Sequence, residues 1–198
     1  MRLLLVLLSA CAFAAPKPEF KAGVAVVDIT PAGSIWMSGY AARTKPSEGV
    51  AMPLHAKALA IEDSKGRHIV IVTTDLIGLP REITDPVSAR LGQVHNLRRS
   101  EVLFNSSHTH AGPVVWPNLK PMFALDATQR KAVEDYARKL SEDLFTVVGG
   151  ALGKLAPVTL HYGEGSAGFA INRREFRKGG VGFGANPQGP MDHKVPVV

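Results

Sequence analysis

Residues 56–74, AKALAIEDSKGRHIVIVTT, decide how the rest of the sequence is read. Ala56 to Glu62 and His68 to Thr74 are apolar, partly β-branched runs, and between them Asp63-Ser64-Lys65-Gly66 is a polar turn containing glycine. Two such runs about such a turn predict a β-hairpin. Upstream, Phe20 to Ile29 (FKAGVAVVDI) alternates around Val and Ala and reads as a strand. It ends at Thr30-Pro31, because proline removes a ladder donor. Gly33 to Val50 is rich in turn residues and reads as a loop. Downstream, Arg81 to Gly92 sets Ile83, Val87 and Leu91 at helical spacing, with Glu82 and Asp85 in the first turn. Val102 to Phe104 is a short buried strand leading into Asn105-Ser106-Ser107. Ala127 to Val148 keeps Val133, Tyr136, Ala137, Leu140, Leu144 and Val147 on a 3.6-residue period, with Gly149-Gly150 expected to stop the helix. Val158 to Tyr162 reads as a strand, glycine-dense Gly163 to Gly189 as a loop, and Val195 to Val198 as the opening of a further core strand. The series predicts an α/β or α+β fold, a mixed β-sheet with helices packed on it.

Composition narrows the class. The 198 residues are 45% hydrophobic and 20% charged, enough for a core, while 19 Gly and 14 Pro suit a turn-rich domain better than a bundle. The net charge is +6. The cations are scattered, with small clusters at Arg98-Arg99, Arg173-Arg174 and Arg177-Lys178, and no groove-entering element accompanies them. That reads as a solvated basic surface rather than a nucleic-acid site. Residues 1–14, MRLLLVLLSACAFA, follow the plan of a secretory signal peptide: a basic Arg2, an apolar run, then small residues. Residues 15–19 are a short linker before residues 20–198. The expected product is secreted or periplasmic. Leu8-Ser9-Ala10-Cys11 offers a competing reading as a lipobox, which would anchor the chain through a lipidated Cys11. Cys11 is the only cysteine, so neither an intrachain disulfide nor a thiolate metal cage is available.

The chemistry concentrates in residues 105–113, NSSHTHAGP. His108 and His110 are two apart, so in extended backbone both rings project to one face. The segment follows a strand, at the kind of carboxyl-end rim where α/β proteins mount functional groups. Two imidazoles so placed can share one Zn²⁺, or one can ligate while the other polarises a substrate oxygen. Equally, they can be loop histidines satisfied by backbone carbonyls. Small Ser106, Ser107, Ala111 and Gly112 leave space for a metal and a substrate. Asp75, just past an apolar strand, suits either orientation of a histidine or a turn. Arg173 suits either anchoring of a carbonyl oxygen or a solvated loop. His55, His68, His95, His161 and His193 have no partner at ligand spacing and read as surface or packing residues.

These motifs together resemble the neutral ceramidase family. Phe20-Lys21-Ala22-Gly23 with Val27-Asp28-Ile29-Thr30-Pro31, then Ser38-Gly39-Tyr40, resembles the opening of its catalytic domain. Thr74-Asp75-Leu76, Ser107-His108-Thr109-His110-Ala111-Gly112-Pro113 and Ile171-Asn172-Arg173 follow in family order. Residues 186–197 resemble bacterial ceramidase-like relatives. The resemblance implies an exported zinc amidohydrolase that cleaves the N-acyl amide bond of ceramide-type lipids to sphingoid base and fatty acid. It also implies transient contact with a membrane surface. It places a zinc ligand at His108, a substrate-contacting histidine at His110 and a site-lining arginine at Arg173. The family completes its zinc site with a later histidine, glutamate and tyrosine, and adds an immunoglobulin-like domain. This sequence shows neither, so it is expected to be the N-terminal part of the catalytic domain, inactive by itself. The readings kept beside this one are a non-catalytic exported lipid-binding module of the same fold and a β/α-barrel metal-dependent amidohydrolase.

Overall fold

The computed structural model describes residues 19–198 in two compact units, which meet in sequence at Val158 and Thr159. The leader, the lipobox and most of the linker lie outside the described residues. The larger unit is built on strands β1 (Phe20–Asp28), β2 (His55–Asp63), β3 (His68–Thr74), β4 (Val102–Ser106) and β5 (Ala156–Val158). They form one open sheet in the order β4-β3-β2-β1-β5. All neighbours are antiparallel except β3 and β4, which run parallel. A β/α barrel is a closed ring of parallel strands, so that reading does not stand. The mixed sheet with helices packed on it does.

The expected hairpin is β2–β3, with Glu62 opposite His68 and Ala56 opposite Thr74. Helix α1 (Arg81–His95) carries the chain from β3 to β4, the crossover that parallel neighbours require. Helix α2 (Ala127–Leu152) begins at a reciprocal cap: the Asp126 carboxylate accepts from the Gln129 N–H at 2.8 Å, and Gln129 Oε1 accepts from the Asp126 N–H at 3.1 Å.

The core lies between α2 and one face of the sheet. On β1 and β2 its strand side is made of small residues, Ala25, Ala56, Ala58 and Ala60, and Val70 and Val72 continue it on β3. Val133, Tyr136, Leu140, Leu144 and Val147 fill the helix side. A fully buried leucine of this kind contributes about 1.5–3 kcal/mol. Small strand residues let the helix come close. A Cβ on Gly23 would stand 2.1 Å from the Ala151 carbonyl oxygen of α2. The same closeness explains why α2 runs four residues past its expected end. Gly150 packs toward the Ala25 Cβ, and Gly149 faces the His95 ring, so both glycines serve helix packing instead of stopping the helix. On the opposite sheet face Val24, Val26, Ile69 and Leu103 are exposed.

The smaller unit corrects three expectations. The strand expected over 158–162 stops at Val158. The expected loop 163–189 contains β6 (Gly163–Ser166), β7 (Asn172–Arg177) and β8 (Gly180–Asn186). β7 and β8 form a hairpin turned at Lys178-Gly179, where Gly179 adopts φ +99°, a conformation glycine supplies without strain. The last strand, β9 (Lys194–Val197), is exposed along its length and pairs backwards with β6. It is not a core strand.

Candidate functional site

Because β3 and β4 are parallel, the segments after Thr74 and Ser106 leave the same rim of the sheet. They are tied there: the Ser107 N–H donates to the Thr74 carbonyl at 3.0 Å, and the Thr74 and Ser106 hydroxyls are 2.9 Å apart. The start of β2 joins them through the Asp75 N–H, which donates to the His55 carbonyl at 3.0 Å. One rim therefore gathers residues 28–30, 54–55, 75–77 and 107–113.

His108 is not in extended backbone, contrary to the simplest form of the expectation. Its φ is +57°, a left-handed conformation that costs a non-glycine residue about 1 kcal/mol. The two rings still share a side, with centroids 5.3 Å apart and planes at 61°. His108 Nδ1 stands 2.8 Å from the Ile77 carbonyl oxygen. A carbonyl only accepts, so Nδ1 holds the proton, and the neutral ring keeps its lone pair on Nε2. A backbone carbonyl in this position is a common way of orienting a metal-ligating imidazole.

His110 is held differently. Its carbonyl accepts from Arg43 Nη2 at 2.6 Å, and the Tyr40 ring meets the imidazole edge-on at 5.0 Å. The Arg43 guanidinium also lies 5.4 Å from the Tyr40 ring centre. Gly39 makes this possible. It adopts φ +103°, and a Cβ there would stand 2.6 Å from His110 Cβ and Cγ. The Ser38 N–H donates to the Gly112 carbonyl at 2.9 Å, and Met37 bridges Pro113. Thus Ser38-Gly39-Tyr40 is the bracket on which the histidine loop rests.

Ser107, Thr109 and Ala111 alternate with the histidines and face the other way. With His55 and Asp75 they line a cleft of about 1070 Å³, closed on its far side by residues 30–35 and 47–54. The small residues therefore open space on the cleft side, where neither His108 nor His110 contributes to the lining. Ser106 opens none, being engaged with Thr74.

Asp75 does accompany a histidine, but it is His55. Its Oδ2 accepts from the His55 N–H at 2.9 Å and lies 3.9 Å from His55 Nδ1. Asp28 is the register partner of His55 on the other side, and the Thr30 hydroxyl and N–H hold its carboxyl below the usual carboxylate range. Sequence reasoning missed this group, although the hairpin carried the signal. Continuing its register one step past Ala56 and Thr74 sets His55 opposite Asp75. Arg173 lies on β7 in the smaller unit, its guanidinium 4.0 Å over the Phe183 ring. Among the described residues no group of three or more His, Cys, Asp or Glu side chains could hold a metal ion. His108 fits one position of a zinc site, and the chain does not bring a full set together among those residues.

The profile described as "Neutral/alkaline non-lysosomal ceramidase, N-terminal" matches residues 20–188. Neutral ceramidase of Drosophila melanogaster is 32% identical over 99 residues, and neutral ceramidase 2 of Arabidopsis thaliana is 32% identical over 116. Those stretches cover 48% and 56% of this chain but 14% of each relative. Among solved structures, neutral ceramidase from Pseudomonas aeruginosa matches over 80% of this chain and 25% of its own, with a TM-score of 0.67 at 26% identity. A second, titled "Ceramidase complexed with C2", matches equally well. The fold, the order of motifs and the extent of the profile agree, and the chain belongs to the neutral/alkaline non-lysosomal ceramidase family, in the region of its N-terminal domain.

Proposed function

We propose that this chain supplies one part of the active site of a zinc-dependent amidohydrolase that cleaves the N-acyl bond of ceramide-type lipids. The observation that carries the reading is the His108 ring, whose Nδ1 is committed to the Ile77 carbonyl at 2.8 Å. That contact fixes the tautomer and leaves Nε2 as a ligand atom. Family membership supports the ceramide substrate, since the relatives are named neutral ceramidases.

The chemistry a zinc ion supplies when bound is polarisation of the amide carbonyl and acidification of a water molecule. His108 gives one nitrogen towards it. His110, whose ring centroid lies 5.3 Å from that of His108 and which Tyr40 meets edge-on, is the residue proposed to contact the substrate oxygen. Arg173 is proposed as a substrate-contacting residue on the resemblance of Ile171-Asn172-Arg173 to the family's motif. Catalytic zinc normally has three protein ligands, and His108 supplies one; the chain spans 14% of the curated relatives' length. Zn²⁺ titrated calorimetrically into this chain is expected to bind weakly, and His108→Ala to abolish that binding. Tight one-to-one binding would overturn the incomplete-site reading. Any hydrolysis of a fluorescent ceramide by this protein is expected to stop on chelation and in His108→Ala. Chelator-insensitive hydrolysis would overturn the zinc reading, and lipid binding without any turnover would favour the non-catalytic module.

A further inference from the structure

We propose that Asp75 is a positioning residue for His108: its side chain ends the regular pairing of β3 and thereby aims the Ile77 carbonyl at the imidazole. Beyond Ala56 and Thr74 the β2–β3 register next sets His55 opposite Asp75. In an antiparallel pair of this kind the two residues exchange both backbone bonds, each N–H donating to the other's carbonyl. Here only one of the two is made. The Asp75 N–H donates to the His55 carbonyl at 3.0 Å, but the His55 N–H donates to Asp75 Oδ2 at 2.9 Å. The carboxylate has taken the place of the residue's own carbonyl. The His55 ring is the more distant partner, its Nδ1 standing 3.9 Å from the same oxygen.

This exchange of acceptors changes the path of the chain. A side-chain acceptor lets the chain leave the sheet without orphaning the His55 N–H, as short polar side chains do when they compete with a ladder. The freed Asp75 carbonyl stands instead against the histidine loop, where a Cβ on Gly112 would lie 3.4 Å from it. Leu76 is then fully buried, and Ile77 is nearly so, which leaves the two residues after the turn little freedom. The Ile77 carbonyl is the group that His108 Nδ1 meets at 2.8 Å. With the Ser107 N–H on the Thr74 carbonyl at 3.0 Å, the backbone carbonyls of residues 74, 75 and 77 all meet the loop 107–112. The loop is seated on the turn that Asp75 makes.

Reach explains the residue type. The carboxylate of aspartate hangs on one methylene, which lets it mimic a backbone carbonyl in a turn, and the amide of asparagine does the same. Alanine has no acceptor. Without one the ladder would close between His55 and Asp75, and the Ile77 carbonyl would leave the imidazole. The purpose of this device rests on the reading of His108 as a metal ligand, because a ligand nitrogen needs a fixed direction. Its test does not, being made on the metal-free chain, so either reading can fail alone.

The test is long-range proton–nitrogen NMR at neutral pH, which reads the tautomer of each histidine. Asp75→Ala is expected to lose the Nδ1–H form as the sole His108 tautomer and give a mixture, with the His110 signals unmoved. Asp75→Asn is expected to keep the single tautomer. His55→Phe, which retains the N–H and removes the ring, is expected to leave it unchanged. A single Nδ1–H tautomer in Asp75→Ala overturns the proposal, as does a mixture in Asp75→Asn or in His55→Phe. Movement of both histidines together in Asp75→Ala also overturns it, since that would be general loosening. Should Asp75→Ala fail to fold, the unaltered chain decides. Coupling across the hydrogen bond from the His55 amide nitrogen is expected to reach the Asp75 side-chain carboxyl carbon, and coupling to the Asp75 backbone carbonyl carbon in its place overturns the assignment.

Discussion

Gly39→Ala puts the bracket under His110 to a quantitative test. Two costs arise. Gly39 has φ +103°, outside the conformations an L-alanine adopts without strain, for about 1–2 kcal/mol. The new Cβ would also stand 2.6 Å from His110 Cβ and Cγ, where carbon atoms ordinarily rest at about 3.5–4.0 Å. One side must retreat by roughly 1 Å. His110 cannot retreat freely, because its carbonyl is tied to Arg43 at 2.6 Å and its ring abuts Tyr40. Overpacking of this kind costs about 1–3 kcal/mol. The sum is about 2–5 kcal/mol of stability, read from urea denaturation. A displaced imidazole signal of His110 in the NMR spectrum should accompany it. Gly33→Ala is the control, since a Cβ there meets nothing within 4 Å. If Gly39→Ala unfolds like that control and leaves the His110 signal in place, the bracket does not exist.

Three further outcomes are expected. Gly23→Ala drives a Cβ to 2.1 Å from the Ala151 carbonyl oxygen, a backbone atom of α2, and should lower stability by about 3 kcal/mol or more in the same urea assay; a loss near zero would mean that α2 does not sit so close to β1. Nitrogen NMR at neutral pH should find His108 protonated at Nδ1, and the opposite tautomer would remove the Ile77 contact. The Glu62 carboxyl, hydrogen-bonded to Lys21 at 2.8 Å, is held below its usual range. A carboxyl lowered on folding adds stability above its unfolded pKa and loses it as pH falls through the folded value. Lys21→Met should therefore raise the Glu62 titration midpoint and erase that part of the acid dependence; an unmoved midpoint would show the pair to be idle.

The sheet was legible because its sequence is locally consistent. The runs on either side of Asp63-Ser64-Lys65-Gly66 alternate small or branched apolar residues, and that alone fixes β2, β3 and their register. The α2 period was legible for the same reason. Its end was not, because Gly149 and Gly150 look like a stop in one dimension and serve as close-packing residues in three. The smaller unit was illegible because its strands bury almost nothing: β6 and β9 are exposed throughout. With no buried face there is no period-2 signal, and glycine-rich β8 resembles a loop. At the site, the spacing predicted two imidazoles on one side, and they are there, though not through the extended backbone it assumed. The φ of His108 and its tether to Ile77 did not, since a carbonyl partner leaves no mark on sequence.

That tether gives the two histidines different freedoms. His108 is fixed at both ends of its side chain, by a left-handed backbone and by a hydrogen bond to Ile77. Its one free nitrogen therefore has a fixed direction, as a ligand atom requires, and the strain is offset by the contact it permits. His110 is anchored through its backbone carbonyl and packed along one ring edge, and among the described residues no hydrogen bond reaches its ring nitrogens. Those nitrogens stay open to a new partner without breaking an existing bond. A directed nitrogen beside an uncommitted one suits the roles proposed above, His108 as a ligand and His110 as a substrate contact. It also explains why Gly39, Tyr40 and Arg43 gather around His110 alone: packing must supply the order that hydrogen bonding gives His108.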